Sequence, residues 1–154
     1  MRTMLLSFKP YVYEKIASGE KIFEYRRNFP DGPIKAYMYV SSPVCAIKGI
    51  LYLGKRHKLV DWKDEFSYDK DAIARVEEFM ESVNYAAEIL KFQETNEILL
   101  KRLREEANDF VVPQMYYFLD GRELLGYLEK NLQKTEFVQK HVFDNITSLQ
   151  ICRH

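Results

Sequence analysis

Two runs rich in β-branched and aromatic residues, "IKAYMYV" at 34–40 and "AIKGILYLGKRHKL" at 46–59, flank a Ser-Ser-Pro corner, and they constrain the fold more than anything else in the chain. Such runs form strands because branched and ring side chains pack well on a pleated, half-buried surface. Pro30, Asp31, Gly32 and Pro33 make a turn before the first run, and Gly49 or Gly54 offers the second a place to bend. The first half of the chain therefore reads as β-rich.

A short apolar strand at 4–8 precedes the one early helix. Pro10 suits a first helical turn, where its missing N–H would have had no partner. Val12 and Ile16 stand four apart, as do Tyr13 and Ala17, so one stripe is buried, and Gly19 supplies a left-handed closing position. Over about 69–108, Ile73, Val76, Met80, Val83, Ala87 and Leu90 keep helical spacing, and Ile98, Leu99 and Leu103 resume it after a polar break, which predicts a helical insertion. "FVVPQMYYFL" at 110–119 returns to strand character. Asp120 with Glu123 resembles a capping box before an amphipathic helix carrying Leu124, Leu125, Leu128 and Leu132, and the segment at 137–152 reads as an edge strand. The expectation is one α+β domain over 1–154, with the helical insertion and a helix-strand extension over about 120–154.

Composition excludes several classes. Hydrophobic residues make up 47% and charged residues 30% of 154, the balance of a globular core-forming protein. Lys plus Arg equal Asp plus Glu at 23 each, so no global basic field exists and affinity for nucleic acid has to come from a local patch. The apolar run in "MRTMLLSFKP" is broken by Ser7 and Lys9, too short to span a bilayer or serve as a signal-peptide core. Cys45 and Cys152 stand far apart with no ligand-spaced partner, so neither a disulfide framework, a metal nor a cofactor is expected, and the setting reads as reducing and cytoplasmic. His57, His141 and His154 are too scattered to name as ligands or bases.

"GILYLGKR" at 49–56 nearly spells a phosphate-binding loop, but Ile50 to Leu53 are strand formers and Arg56 stands where a hydroxyl would meet magnesium. Lys55, Arg56, His57 and Lys58, with Trp62 nearby, form the densest positive patch; Asp61, Asp64 and Glu65 follow directly, which favours a solvated strand end over a phosphate site.

The most informative stretch is "SGEKIFEYRR" at 18–27. Phe23 and Tyr25 alternate with Glu24 and Arg26, so a strand here turns its aromatics to one face, available to a core, and its ion pair to the other. Exposed, such a pair contributes at most about 1 kcal/mol.

The order of apolar strand, Lys-Pro before a helix, "SGEKIFEYRR" and "AYMYVSSPVCAIKG" resembles the ASCH domain, a branch of the PUA-like β-barrel superfamily with the hallmark G-x-K-x-x-E-x-R, here Gly19, Lys21, Glu24 and Arg26. The likeness covers 4–54 and extends to Pro113 and Gln114. It implies a small mixed β-barrel with a helix across one opening and a cleft beside the hallmark strand. It also implies RNA or a nucleotide-like ligand as partner, with Lys21, Glu24 and Arg26 around it. Ser41 and Ser42 would add hydroxyl contacts, Gln114 would read a base edge, and Tyr11 would stack on a ring. In a relative that hydrolyses acetylated cytidine, a Lys matching Lys21 is catalytic and a Thr nucleophile occupies the position of Glu24, so that route is not available here unchanged. Three readings stay open: an RNA- or nucleotide-binding module; a small hydrolase acting on a modified nucleoside or RNA, with Lys21 and Glu24 catalytic; and a protein-interaction adaptor working through the insertion.

Overall fold

The computed structural model describes residues 1–153. Chain order is β1 (Arg2–Phe8), α1 (Pro10–Ala17), β2 (Phe23–Arg26), β3 (Ile34–Val40), β4 (Ala46–Lys58), α2 (Leu59–Glu65), α3 (Lys70–Met80), β5 (Tyr85–Leu99), α4 (Leu100–Glu106), β6 (Tyr116–Phe118), α5 (Glu123–Asn131) and β7 (Lys134–Lys140). The strands make one curled half-barrel sheet in the order β2-β5-β4-β3-β1-β6, with β7 also paired to β5. β1 runs parallel to β3 and the other pairs are antiparallel.

Three apolar layers hold the sheet. Inside the curl, Met4, Leu6, Phe8, Met38, Leu51 and Phe92 close around Tyr13 and Ile16 of α1. This is the stripe expected from the helical spacing. The Tyr13 hydroxyl also donates to the Lys48 carbonyl at 2.9 Å, pinning α1 across the opening. Gly19 ends the helix region with φ +84°, a conformation that strains any residue with a Cβ. Outside the curl, α4 and α5 cover Leu5, Tyr37, Tyr39 and Ile50. A third layer joins β2 to α2, α3 and the C-terminal segment through Phe23, Trp62, Phe66, Val76 and Ile151.

The helical insertion over 69–108 is corrected. α3 and α4 lie within it, but 85–99 between them is β5, the longest strand. β5 is sandwiched between β4 on one edge and β2 and β7 on the other, and Ala86, Ala87, Glu88 and Ile89 are all buried. With both faces covered, period-2 alternation disappears and apolar residues recur at intervals that imitate a helix. The capping role of Asp120 is also corrected: its carboxylate accepts from the Thr3 backbone N–H at 3.1 Å and the Thr3 hydroxyl at 3.2 Å, while Arg122 occupies the α5 cap and Asp109 accepts from the Leu124 N–H at 3.1 Å. α2, unforeseen, is a single short helix whose cap residue Lys58 gives no side-chain bond. At the bends expected in β4, register shifts flank both Gly49 and Gly54. Gly54 is also where the Pro30–Pro33 turn rests, so close to Gly32 that a Cβ there would collide with the Gly54 carbonyl oxygen.

Candidate functional site

Ending α1 at Ser18 and Gly19 throws the chain back along the opening of the curl, so that β2 pairs with the start of β5, from Tyr85 to Glu88, and presents its two faces to different surroundings. Phe23 and Tyr25 do not enter the core inside the curl, as alternation alone suggested. They face the third layer, where Phe23 meets Trp62 edge-on at 5.2 Å between ring centroids and Tyr25 meets Phe79 at 4.9 Å. Glu24 and Arg26 face α1 and line an open cleft of about 690 Å³.

Its walls come from separate parts of the chain: Ser7 to Lys9 at the end of β1, Tyr11 and Val12 of α1, Ser41 after β3, Ser82 and Val83 before β5, and Gln114 before β6. Thus Tyr11, Glu24, Arg26, Ser41 and Gln114 share one cavity. Ser42 is exposed outside it, and Lys21 does not line it. Lys9, Ser82 and Val83 were not foreseen; Lys9 is adjacent to the Pro10 that starts α1, whereas nothing local marks Ser82 and Val83.

At the floor, Glu24 is only 5% exposed. Its Oε1 accepts from Arg26 Nε at 3.2 Å, and Arg26 Nη2 donates to the Ser7 carbonyl at 2.9 Å. Glu24 Oε2 is buried with no hydrogen-bond partner. A buried acceptor of this kind costs about 1–3 kcal/mol or more when charged, so it is an unusual thing to retain. Lys21 is equally buried, and its ammonium sits 4.7 Å from the centroid of the Tyr25 ring. It makes none of the ion pairs found among the described residues, so Lys21 and Arg26 do not jointly clasp Glu24. Burial holds the Lys21 ammonium below the ordinary lysine range; the Glu24 charge pulls it back up, and Arg26 and Lys15 push it further down. Tyr25 is fixed in turn by the C-terminal segment, whose Cys152 N–H donates to the phenol oxygen at 2.8 Å.

The Lys55–Lys58 cluster is organised differently. Arg56 Nη1 donates to the Phe29 carbonyl at 2.6 Å, and its guanidinium lies 4.2 Å from the Tyr85 ring centroid. His57 Nε2 and Glu88 Oε2 are 2.7 Å apart, and the imidazole stacks on Trp62, which is 1% exposed. Trp62 is therefore a core residue rather than a stacking platform. Among the described residues no group of His, Cys, Asp and Glu is arranged to hold a metal, and no helix is long and apolar enough to cross a membrane.

No family model matches the sequence, and no curated protein does. Among solved structures the chain is similar to the ASCH protein of Zymomonas mobilis, with a TM-score of 0.62 at 20% identity, covering 87% of this chain and 98% of that one. Two single-substitution variants of that protein match at TM-scores of 0.62 and 0.60, each covering 86% of this chain, with 20% and 19% identity and 100% and 96% of their own lengths covered. The fold is that of an ASCH domain.

Proposed function

We propose that the cleft beside α1 binds a nucleoside-like ligand, taken as a free nucleotide or as one unit of an RNA strand. The observation that carries this is Glu24 Oε2, a buried acceptor without a partner at the floor of an open cavity. A carboxylate only accepts, so its complement is an N–H or O–H donor, which the amino and ring N–H groups of nucleobases supply. The walls suit the rest of such a ligand. Tyr11, 61% exposed, offers a ring face; Gln114 offers both amide functions; Ser41 offers a hydroxyl; and Lys9 supplies a cation at the rim. Arg26 has committed Nε and Nη2 to protein acceptors, so its chief part is to orient Glu24 and add positive potential. Titration with nucleosides, nucleoside monophosphates and short RNAs tests the reading. Saturable binding that Glu24→Gln and Arg26→Ala each weaken supports it; failure of all these ligands to bind overturns it.

A hydrolase acting on an acylated nucleoside is the second reading, favoured by one observation: Glu24 is a buried carboxylate on the floor of an open cleft. A buried carboxylate beside a bound substrate is a group that can move a proton to or from an attacking water. Incubation with acylated cytidines, followed by chromatography, separates the readings: release of the free amine and the carboxylic acid, abolished by Glu24→Gln, marks catalysis, and intact substrate marks binding alone.

A further inference from the structure

The other side of the sheet carries a feature that the cleft does not use. Lys35 of β3 stands directly opposite Tyr52 of β4, Tyr52 opposite Lys91 of β5, and Lys91 opposite Lys140 of β7. Directly opposed residues project from the same face. Ile34, Ala36, Leu51, Leu53 and Phe92 point into the α1 core, so their neighbours Lys35, Tyr52 and Lys91 point outward. Three lysines and a tyrosine therefore form one row across four strands, about 15 Å long at roughly 4.8 Å per strand spacing.

Two of the lysines, Lys35 and Lys91, lie over aromatic rings. Lys91 Nζ lies 4.8 Å from the Tyr52 ring centroid and Lys35 Nζ 5.2 Å from that of Tyr37. None of Lys35, Lys91 and Lys140 joins the ion pairs found among the described residues, and neither does Lys134, which shares with Lys35 and Tyr37 a recess of about 220 Å³ whose one carboxylate is Glu129. Lysines commonly guard sheet edges against aggregation, and that accounts for Lys134 and Lys140 on β7. It does not account for Lys35 and Lys91, because β3 and β5 are interior strands. In a chain with equal numbers of cations and anions, a row of cations outside these ion pairs, two of them steadied by rings, is a local concentration of charge with an anionic complement.

We propose that this row is a docking track for the phosphate backbone of single-stranded RNA, separate from the cleft. The charge argument stands alone; the choice of a single strand over a duplex rests on the cleft reading, since an unpaired base is what the cleft would take. The cation–ring contacts of Lys35 and Lys91 limit the freedom those two ammoniums lose when they meet phosphates.

Fluorescence anisotropy of a labelled twelve-nucleotide RNA, measured over a series of salt concentrations, tests the track. Each phosphate neutralised on a single strand contributes about 0.7 to the salt slope, so a triple variant of Lys35→Gln, Lys91→Gln and Lys140→Gln should lower that slope by about 2. A matching triple variant with arginine at the three positions should keep the slope, which separates loss of charge from loss of fold. An unchanged slope in the glutamine variant overturns the track, as does loss of slope in the folded arginine variant, and tighter binding of a duplex of the same length overturns the single-strand assignment. Mononucleotide titration keeps the two sites distinguishable: the track predicts no change there in the glutamine variant. Absence of any mononucleotide binding beside an intact RNA slope would remove the cleft reading and leave the track.

Discussion

The cleft and the Lys55–Lys58 cluster both gather charge beside aromatic rings, yet they are opposite in what they leave undone. In the cluster, Arg56 is satisfied by the Phe29 carbonyl and the Tyr85 ring, His57 by Glu88, and Trp62 is sealed in the third layer. In the cleft, fewer charges are present, but one carboxylate oxygen is buried without a partner at its floor. Charge density along a sequence thus says little about binding; an uncompensated polar group beside a cavity says more, because folding alone gives no reason to keep it.

The largest effect that would sharpen this contrast is expected at Trp62. Trp62→Ala should destabilise the fold by about 3–5 kcal/mol, read from urea unfolding, because it empties the third layer where Phe23 and His57 meet the ring. A loss under about 1 kcal/mol would mean that the ring is a surface platform after all.

Glu24→Gln comes next. It keeps the shape but replaces a charged acceptor, and a hydrogen bond to a charged group contributes about 1.5–3 kcal/mol, so nucleotide affinity should fall roughly 10- to 100-fold while urea unfolding shows the fold retained.

Lys21→Met is predicted to act in the opposite sense on stability. It removes a buried charge, and an increase of about 1 kcal/mol, near 3 °C in Tm, is expected. The gain should depend on pH. Burial lowers the folded-state pKa of Lys21 beneath the ordinary 10.5, so between those two values the unfolded chain binds more protons and wild-type stability rises with pH. The gap between wild type and Lys21→Met is therefore widest below the folded pKa and closes toward 10.5. Thermal melts of both proteins at several alkaline pH values check this; a gap that widened with pH would contradict the burial account.

The smallest effect belongs to the exposed ends of the cluster. Lys55→Ala and Lys58→Ala should each change stability by less than about 0.5 kcal/mol and leave nucleotide affinity unaltered, measured by unfolding and titration.

Much of the half-barrel was legible in the sequence. Pro10, Gly19 and the four-residue spacings place α1 without ambiguity, and the runs on either side of Ser41, Ser42 and Pro43 are β3 and β4. β5 was not legible, because burial on both faces removes the alternation that identifies a strand. Asp120 was misread because the same carboxylate that could cap a helix locally finds Thr3 across the fold. Of the cleft, the spacing of Glu24 and Arg26 marked their shared face. Lys21 was expected to reach the same point, but it lies instead over Tyr25, a position set by the third layer and the C-terminal segment. Ser82 and Val83 reach the cleft only through the pairing of β5 with β2, which no local pattern records.

Calorimetric titration of nucleoside monophosphates into wild type and Glu24→Gln tests the central claim most directly. At least one nucleotide should bind wild type saturably, and the variant, folded to the same extent, should bind it about 10- to 100-fold more weakly. Equal affinity in the two proteins, or no binding of any nucleotide to wild type, would contradict it.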